Sequence, residues 1–367
     1  MKFNFEKSAL LKELIIAQEI IATKTAVSIL SNVLLAVKDG KLTIRATDVK
    51  VNFETTIPVE VIEEGKTTVF CDKLVSVINS LPDGEIEVSE KDQSLNIRSI
   101  EKKAKFQLKT IADNDFPSFV GPADIEFFEI PAKDLKEMIS NTIFAVSDDQ
   151  TRYFMNGICM KKTSSGILFV ATDGRRLSYI KRTLDLGGED YEEVIIPTKI
   201  LTIINKRLTE NGNVSIGFNE KFIFFDFNNY KFSSPLIEGK FPNYERVIPE
   251  TQEKQFEVNR VMFLDAIKRV SLLVERNLKR IYFELSNGKL SISSNEKEVG
   301  NAFEEIACTY NDEDEKFAFN YSYLEEPMKV MDSESVIMKF TDINHAMTLS
   351  PSPETDYFHI IMPMHID

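Results

Sequence analysis

One unit recurs along this chain and limits what it can become. Six times, a short alternating apolar strand runs into a polar, proline or capping residue and then into a segment of helical period. The clearest copy is Phe128-Glu129-Ile130-Pro131 followed by 132–141. Phe128 and Ile130 are two apart, so they share one face of a strand. Pro131 brings a fixed φ to a helix start, where its missing N–H costs nothing. Leu135, Met138 and Ile139 then follow at helical spacing, and Ile143 extends the stripe.

The same unit reads as Phe3-Asn4-Phe5 before 10–15, and as Val69-Phe70-Cys71 before 74–78. It returns at 194–197 before 200–208, at 256–259 before 263–270, and at 317–320 before 323–330. Equating Phe5, Phe70, Ile130, Ile196, Val258 and Phe319 gives steps of 65, 60, 66, 62 and 61 residues. A near-constant period marks a repeat architecture, so the chain reads as a sixfold repeat. Between the helical segments, apolar residues alternate with a period of two, as over 41–47 and 57–61. Asp39-Gly40, Pro82-Asp83-Gly84, Asn211-Gly212 and Asn287-Gly288 mark turns, and their Asp-Gly and Asn-Gly pairs are strong hairpin signals. Each repeat therefore holds one helix and three or four antiparallel strands, which is α+β with helices on one face of the sheets.

A longer period pairs the repeats. The stretch 42–48 (LTIRATD) recurs as 167–173 (ILFVATD) and more weakly as 289–295 (KLSISSN). Asp115-Phe116-Pro117 recurs 125 residues later as Lys240-Phe241-Pro242. Boundaries near 125 and 250 follow, giving three domains, 1–125, 126–250 and 251–367, each with two helices.

The net charge of −14 argues at first against a nucleic-acid partner, but its distribution argues the other way. The helical segments 7–24, 72–79, 132–142, 198–208, 260–280 and 321–331 hold 16 Lys and Arg against 9 Asp and Glu, so the remainder carries −21. Helices on one surface would make that surface basic on an acidic body. The richest segments carry Lys199, Lys206 and Arg207, and Arg260, Lys268, Arg269, Arg276, Lys279 and Arg280, with no aromatic platform for stacking single-stranded bases. Such residues suit sequence-independent phosphate contact.

Little else in the chain carries chemistry. Cys71, Cys159 and Cys308 lie among apolar or strand-like residues and read as small hydrophobes. Three histidines, His345, His359 and His365, leave little material for a zinc site or a catalytic triad. No metal or cofactor is expected. No 18 apolar residues run together, and MKFNFE at the start is not a secretory signal, so a reduced cytoplasmic setting is expected. Asp48 and Asp173 invite an alternative reading as the paired carboxylates of a metal-dependent nucleic-acid hydrolase. They are equivalent positions in successive domains, however, where Thr-Asp at a strand end is an ordinary turn. Gly174 can take a positive φ, and Arg175-Arg176 are candidates to bind phosphate or line a peptide site. Met362-Pro363-Met364 reads as an edge strand, since proline is tolerated there, with two methionines on one adaptable face.

Over essentially its whole length the sequence resembles the bacterial DNA polymerase III β sliding clamps. The resemblance rests on Met1-Lys2-Phe3, on 171–177 (ATDGRRL), on 239–249 (GKFPNYERVIP) and on Met362-Pro363-Met364, in this order within the sixfold repeat. It implies a non-catalytic processivity factor of the replicative polymerase: a head-to-tail homodimeric ring of three-domain protomers, with helices inside around double-stranded DNA. Helices of about 11 residues span roughly 16 Å, enough to bridge phosphates without entering a groove.

The resemblance also implies specific sites. Partner peptides from the polymerase α subunit, the ATP-driven clamp loader, other polymerases, and mismatch-repair and ligase-type proteins would enter one pocket. Its residues would be Met155, Thr172, Gly174, Arg175, Leu177, Pro242, Arg246, Val247, Ile360, Met362, Pro363 and Met364, with Asn320 and Tyr323 beside them. DNA contacts would fall on Lys24, Lys73, Arg152, Tyr153, Lys199, Lys206 and Arg207. The dimer seam would set Phe106 and Leu108 against Leu272 and Leu273 of the other copy, with Lys105 facing Glu298, Glu304 and Glu305. Two features depart from the family: Arg175 stands where histidine is common, and His365-Ile366-Asp367 replaces a usual Arg-Leu ending, making the pocket rim more acidic.

Overall fold

In a computed structural model, each of the six units is a strand that passes into a helix with no loop between them. The structure describes residues 1–21, 28–119, 121–122, 125–187, 190–275, 277–296 and 300–366. Lys24, Arg276, Glu298 and Asp367 lie outside the described residues. The six strands Lys2–Glu6, Gly65–Phe70, Phe127–Pro131, Tyr191–Pro197, Lys254–Asn259 and Glu315–Asn320 lead directly into α1 (Lys7–Ile20), α2 (Cys71–Ser80), α3 (Ala132–Ser140), α4 (Thr198–Asn205), α5 (Arg260–Ser271) and α6 (Tyr321–Val330). The transitions are capped where the sequence allows it. Asn259 accepts from the Met262 N–H at 3.0 Å, and Asn320 from the Ser322 N–H at 3.0 Å.

Several helices are shorter than their periodicity suggested. α1 ends at Ile20, α4 at Asn205 and α5 at Ser271. Arg280, expected on the fifth helix, instead opens the strand Arg280–Ser286. Lys279 and Arg280 thus lie off the helix. Within α6, Pro327 has no N–H to give the Tyr323 carbonyl one turn earlier.

The chain divides into two units. The first, 1–132 with 199–236, holds a 13-stranded antiparallel sheet running from Phe127–Pro131 at one edge to Glu60–Glu63 at the other. Within it, strand Asn52–Pro58 pairs with Tyr230–Pro235, through Asn52 with Ser233 and Phe53 with Phe232. Helices α1 and α2 pack side by side, and α1 lies on the sheet through Leu10, Leu14 and Ala17. Asp39 and Gly40 both take positive φ, 49° and 73°, in the two-residue hairpin that the Asp-Gly pair predicted.

The second unit, 133–198 with 237–367, holds an eight-stranded and a four-stranded antiparallel sheet. In the larger, strand Arg176–Thr183 pairs with Tyr357–Ile361, through Leu177 with Ile360 and Ser178 with His359. Helices α5 and α6 pack together, and α5 covers the smaller sheet. The middle third of the sequence thus gives four strands to the sheet of the first unit and four to the larger sheet of the second.

Candidate functional site

The most constrained local structure is the turn after strand Gly166–Thr172. Thr172 Oγ1 donates to the Arg176 carbonyl at 2.6 Å and accepts from the Gly174 N–H at 3.1 Å. The Asp173 carboxylate accepts the N–H groups of Arg175 and Arg176 at 2.9 and 3.1 Å. Gly174 sits at φ +89°, where a side chain is disfavoured, and a Cβ there would lie 2.9 Å from Arg152 Nη1. Asp48 is bound in the same way: its carboxylate accepts from Lys50 and Val51 at 3.0 and 2.7 Å, and Thr47 Oγ1 accepts from Val49 at 3.0 Å. Both aspartates are turn caps, each engaged by two backbone N–H groups and one cation.

Paired residues on neighbouring antiparallel strands point to the same face. Thr172, Leu177, Ile360 and Thr348 therefore form one row across four strands. The next row holds Cys159, Val170, Tyr179 and Phe358, the last two rings stacked at 4.5 Å. Phe241 and Tyr244 bury against these rows, and Leu177 and Ile360 are only 2% exposed. Burial beside Cys159 and Glu245 raises the Tyr244 hydroxyl well above its usual range. Met155 is buried and Pro242 half-buried, whereas Arg175, Arg246, Val247 and Met362 are exposed.

The C-terminal segment is not the edge strand that its proline suggested. Strand Tyr357–Ile361 lies inside the larger sheet, between Arg176–Thr183 and Met347–Ser352. Beyond it the chain leaves the sheet. The Met362 N–H donates to the Arg175 carbonyl at 3.0 Å, and the Met364 N–H to the Ala318 carbonyl at 2.7 Å. The tail thus ties the turn at 173–175 to the strand that feeds α6.

The reverse face of the same strands carries a residue that the sequence did not separate from its neighbour. Arg175 is exposed, but the Arg176 side chain is 8% exposed. Its guanidinium donates to Asp173 at 3.0 Å and to the Phe144 carbonyl at 2.5 Å, pairs with Glu326 of α6, and lies 4.5 Å from the Tyr323 ring centre. His359, fully buried beside it, has neither ring nitrogen in hydrogen-bond geometry. The Tyr323 carbonyl, which Pro327 leaves without a helical donor, acts on the His359 ring in the opposite sense to burial. Burial, with the Arg176 charge close by, drops its pKa to about 3. Alternation alone would have shown it: Arg176, Ser178 and Ile180 share a face opposite Leu177 and Tyr179.

The DNA candidates fall in both units. In the first, Lys199 bonds Asp48 at 2.6 Å and the Ile20 carbonyl at 3.0 Å, while Lys206 and Arg207 meet Glu19 at 3.3 and 3.0 Å. Lys73 is exposed on α2. In the second, Arg152 pairs with Asp149 at 2.9 Å and stands against Gly174. Tyr153, also exposed, stands near Gly239. Arg152 therefore lies beside a pocket candidate. Arg269, counted with the basic helices, is held by Glu304 at 2.5 Å.

The seam candidates are apolar and uncovered. Phe106 is exposed and Leu108 half-buried on strand Lys105–Ile111, which reaches its neighbour Gly65–Phe70 only through Thr110 and Ile111. Leu272 is 79% exposed, and Leu273 is half-buried. Near them runs Gly300–Ala307, an edge strand of the smaller sheet carrying Phe303, 68% exposed. Phe303 was not singled out from sequence, although a phenylalanine between Asn301 and Glu305 on one strand face is a legible signal.

Three family models match the chain. They are the N-terminal, central and C-terminal domains of the DNA polymerase III beta subunit, over 1–120, 129–243 and 245–365. The beta sliding clamp of Treponema pallidum is 49% identical, with all of both chains covered. The chain belongs to the beta sliding clamp family. Solved clamps share the fold. One from Pseudomonas aeruginosa, bound to griselimycin, superposes with a TM-score of 0.95 at 31% identity, and one from Bacillus subtilis with 0.94 at 26%, each over all of both chains. The chain is thus a DNA sliding clamp of three repeated α+β clamp domains, a non-catalytic processivity subunit of DNA polymerase III that self-associates and binds DNA and polymerase. The hydrolase alternative has no support, and Asp48 and Asp173 have structural roles.

Proposed function

We propose that two copies close head to tail around duplex DNA, slide on it without reading sequence, and hold partner proteins by peptides seated on the Thr172–Leu177–Ile360 row. The observation that carries the tethering role is that row: an apolar floor, set beside polar backbone groups of a glycine turn and rimmed by exposed Val247 and Met362. Apolar walls with a few fixed polar groups suit an extended peptide with Leu or Phe anchors. Leu177 and Ile360 are each 2% exposed, so an anchor reaching them needs neighbouring side chains to move aside. Occupants include the polymerase α subunit, the ATP-driven loader, and repair and ligase-type proteins.

Two incomplete strand edges support the head-to-tail seam. Among the described residues Lys105–Lys109 has one edge without a partner in its own sheet, and Gly300–Ala307 ends its sheet. Such edges pair readily with another chain, and two different surfaces joined by a closing rotation make a ring. Phe106 and Leu108 would meet Leu272, Leu273 and Phe303, while Lys105 near Glu304 and Glu305 would set register more than affinity. For DNA, Lys199, Lys206 and Arg207 would exchange their carboxylate partners for phosphates and exposed Lys73 would add a further contact, which a ring held by topology needs only weakly. The cytoplasm beside the chromosome is the proposed setting.

The test is retention on nicked circular duplex DNA after loading by the cognate ATP-driven loader, followed by linearisation. Protein that stays on circles and runs off cut ends is linked topologically. Equal retention on both would overturn the ring. In the same assay Met362→Ala with Met364→Ala should form normal dimers yet fail to recruit polymerase.

A further inference from the structure

The 125-residue period predicts that the first unit holds a second copy of the turn and row, and it does. Thr47, Asp48 and Val49 repeat Thr172, Asp173 and Gly174 in all three backbone N–H bonds of the turn, with Val49 at φ +75° where Gly174 is at +89°. Asn52 then stands for Leu177. Its cross-strand partner Ser233 stands for Ile360, because Asn52 pairs with Ser233 as Leu177 pairs with Ile360. Phe116 and Phe119 stand for Phe241 and Tyr244. A cavity of about 260 Å³ opens at this place, lined among others by Asn52, Ser233, Phe119, Pro122 and Phe127.

The two copies differ in one physical respect. The floor of the first is a closed polar chain: Thr47 Oγ1 donates to Asn52 Oδ1 at 2.7 Å, and Asn52 Nδ2 to Ser233 Oγ at 3.1 Å. The next row, Cys159, Val170, Tyr179 and Phe358 in the second unit, is here Leu34, Arg45, Glu54 and Lys231, and Asp226 on the following strand continues the alternation of charge. Arg45 pairs with Glu54 at 2.6 Å, and its guanidinium lies 5.5 Å from the Phe119 ring centre. An apolar anchor entering this copy would have to cover polar and charged floor groups already bonded to one another, and would form no hydrogen bond with them.

We propose that Asn52 and Ser233 are specificity-determining residues, whose polar floor keeps Leu- and Phe-anchored partner peptides out of the first copy and leaves each protomer a single docking place. The selection has a consequence for a ring: a partner is held at one of two repeat-equivalent places, so its orientation on the clamp is unique. This inference rests on reading the Leu177–Ile360 row as the peptide floor.

The test uses the full-length protein and a labelled peptide carrying adjacent Leu and Phe, titrated by calorimetry and mapped by photo-cross-linking. The parent should bind one peptide per protomer, and Leu177→Lys should bind none. Adding Asn52→Leu with Ser233→Ile to the parent should give a second cross-linked place at the first unit. Adding both to Leu177→Lys should restore binding of one peptide per protomer, cross-linked at the first unit. If the pair does not fold by circular dichroism, Asn52→Leu with Ser233→Ala, which adds less volume, is read the same way. A folded variant that gains no site would overturn the inference, as would a parent peptide cross-linking to the 47–52–233 row. Parent binding that survives Leu177→Lys would instead sink the pocket reading itself.

Discussion

Arg176→Ala tests whether the peptide floor is held in place from the reverse side of its sheet. The guanidinium joins Asp173, Glu326, the Phe144 carbonyl and the Tyr323 ring, so its loss frees the glycine turn from α6 in one step. Breaking a fully buried ion pair costs about 3–5 kcal/mol. Here the Glu326 side chain is 36% exposed and can rehydrate, so about 1 kcal/mol is the appropriate share for that pair. The Phe144 carbonyl loses a charged donor, about 1–2 kcal/mol, and the stacking on Tyr323 adds about 1. A local loss of about 3 kcal/mol follows, less than their full sum because the contacts share one side chain. Amide hydrogen exchange reads this locally, where a midpoint for a chain of several domains would not. Protection over 176–180 and α6 should fall about 100-fold, while the first unit is unchanged. Arg176→Lys keeps a charge but not the fork, and should lose about half as much in free energy. A change below about fivefold for Arg176→Ala would refute the reasoning, since no burial of a four-way cation costs so little.

His359 supplies a pH test. Its folded pKa of about 3 lies below the ordinary value of 6.5, so the unfolded state binds the extra proton. Stability is complete above pH 6.5 and falls as pH drops toward 3, by about 2 kcal/mol at pH 5. Urea unfolding of the second unit at pH 7 and 5 should show that slope, and His359→Leu should remove it. Gly166→Ala would place a Cβ 2.3 Å from the Arg182 carbonyl and should destabilise the strands beside it by about 3 kcal/mol. Gly40→Ala, at φ +73° but with open space around it, should cost about 1; paired thermal melts distinguish them. Leu272→Asp, at a position 79% exposed, should convert dimers to monomers in sedimentation without lowering the protomer's melting temperature.

Much of this protein is legible without coordinates, because repetition multiplies weak signals. Phe128 and Ile130 before a helical stripe mean little alone; six such junctions at one period specify strands that run straight into helices. Polar alternation with Asp39-Gly40 and Asn287-Gly288 then fixes two hairpins, whereas Asp83-Gly84 and Asn211-Gly212, which carry the same signal, each follow a helix and lead into a strand. Helix ends were less legible. Leu272 and Leu273 continue an apolar period beyond Ser271, yet the chain turns there, and no local signal stops it. The candidate sites divide in the same way. Thr172-Asp173-Gly174 announces its own turn, whereas Ile360 reaches Leu177 only through pairing between strands 183 residues apart.

The two arginines at 175 and 176 mark the boundary between the kinds of information. Sequence by itself determined the sixfold period, the α+β class, the capped turns at Asp48 and Asp173, and a basic bias in the helices. All follow from backbone preferences and hydrophobic spacing over a few residues. Only the tertiary structure decided that Arg176 is buried and Arg175 is not, that Lys199 and Arg207 are already paired, that the C-terminal tail leaves its sheet, and that Asn52 and Ser233 face each other where Leu177 and Ile360 do in the other unit. Those facts depend on which strands become neighbours, and that choice is made by burial summed over the whole chain rather than by any one segment.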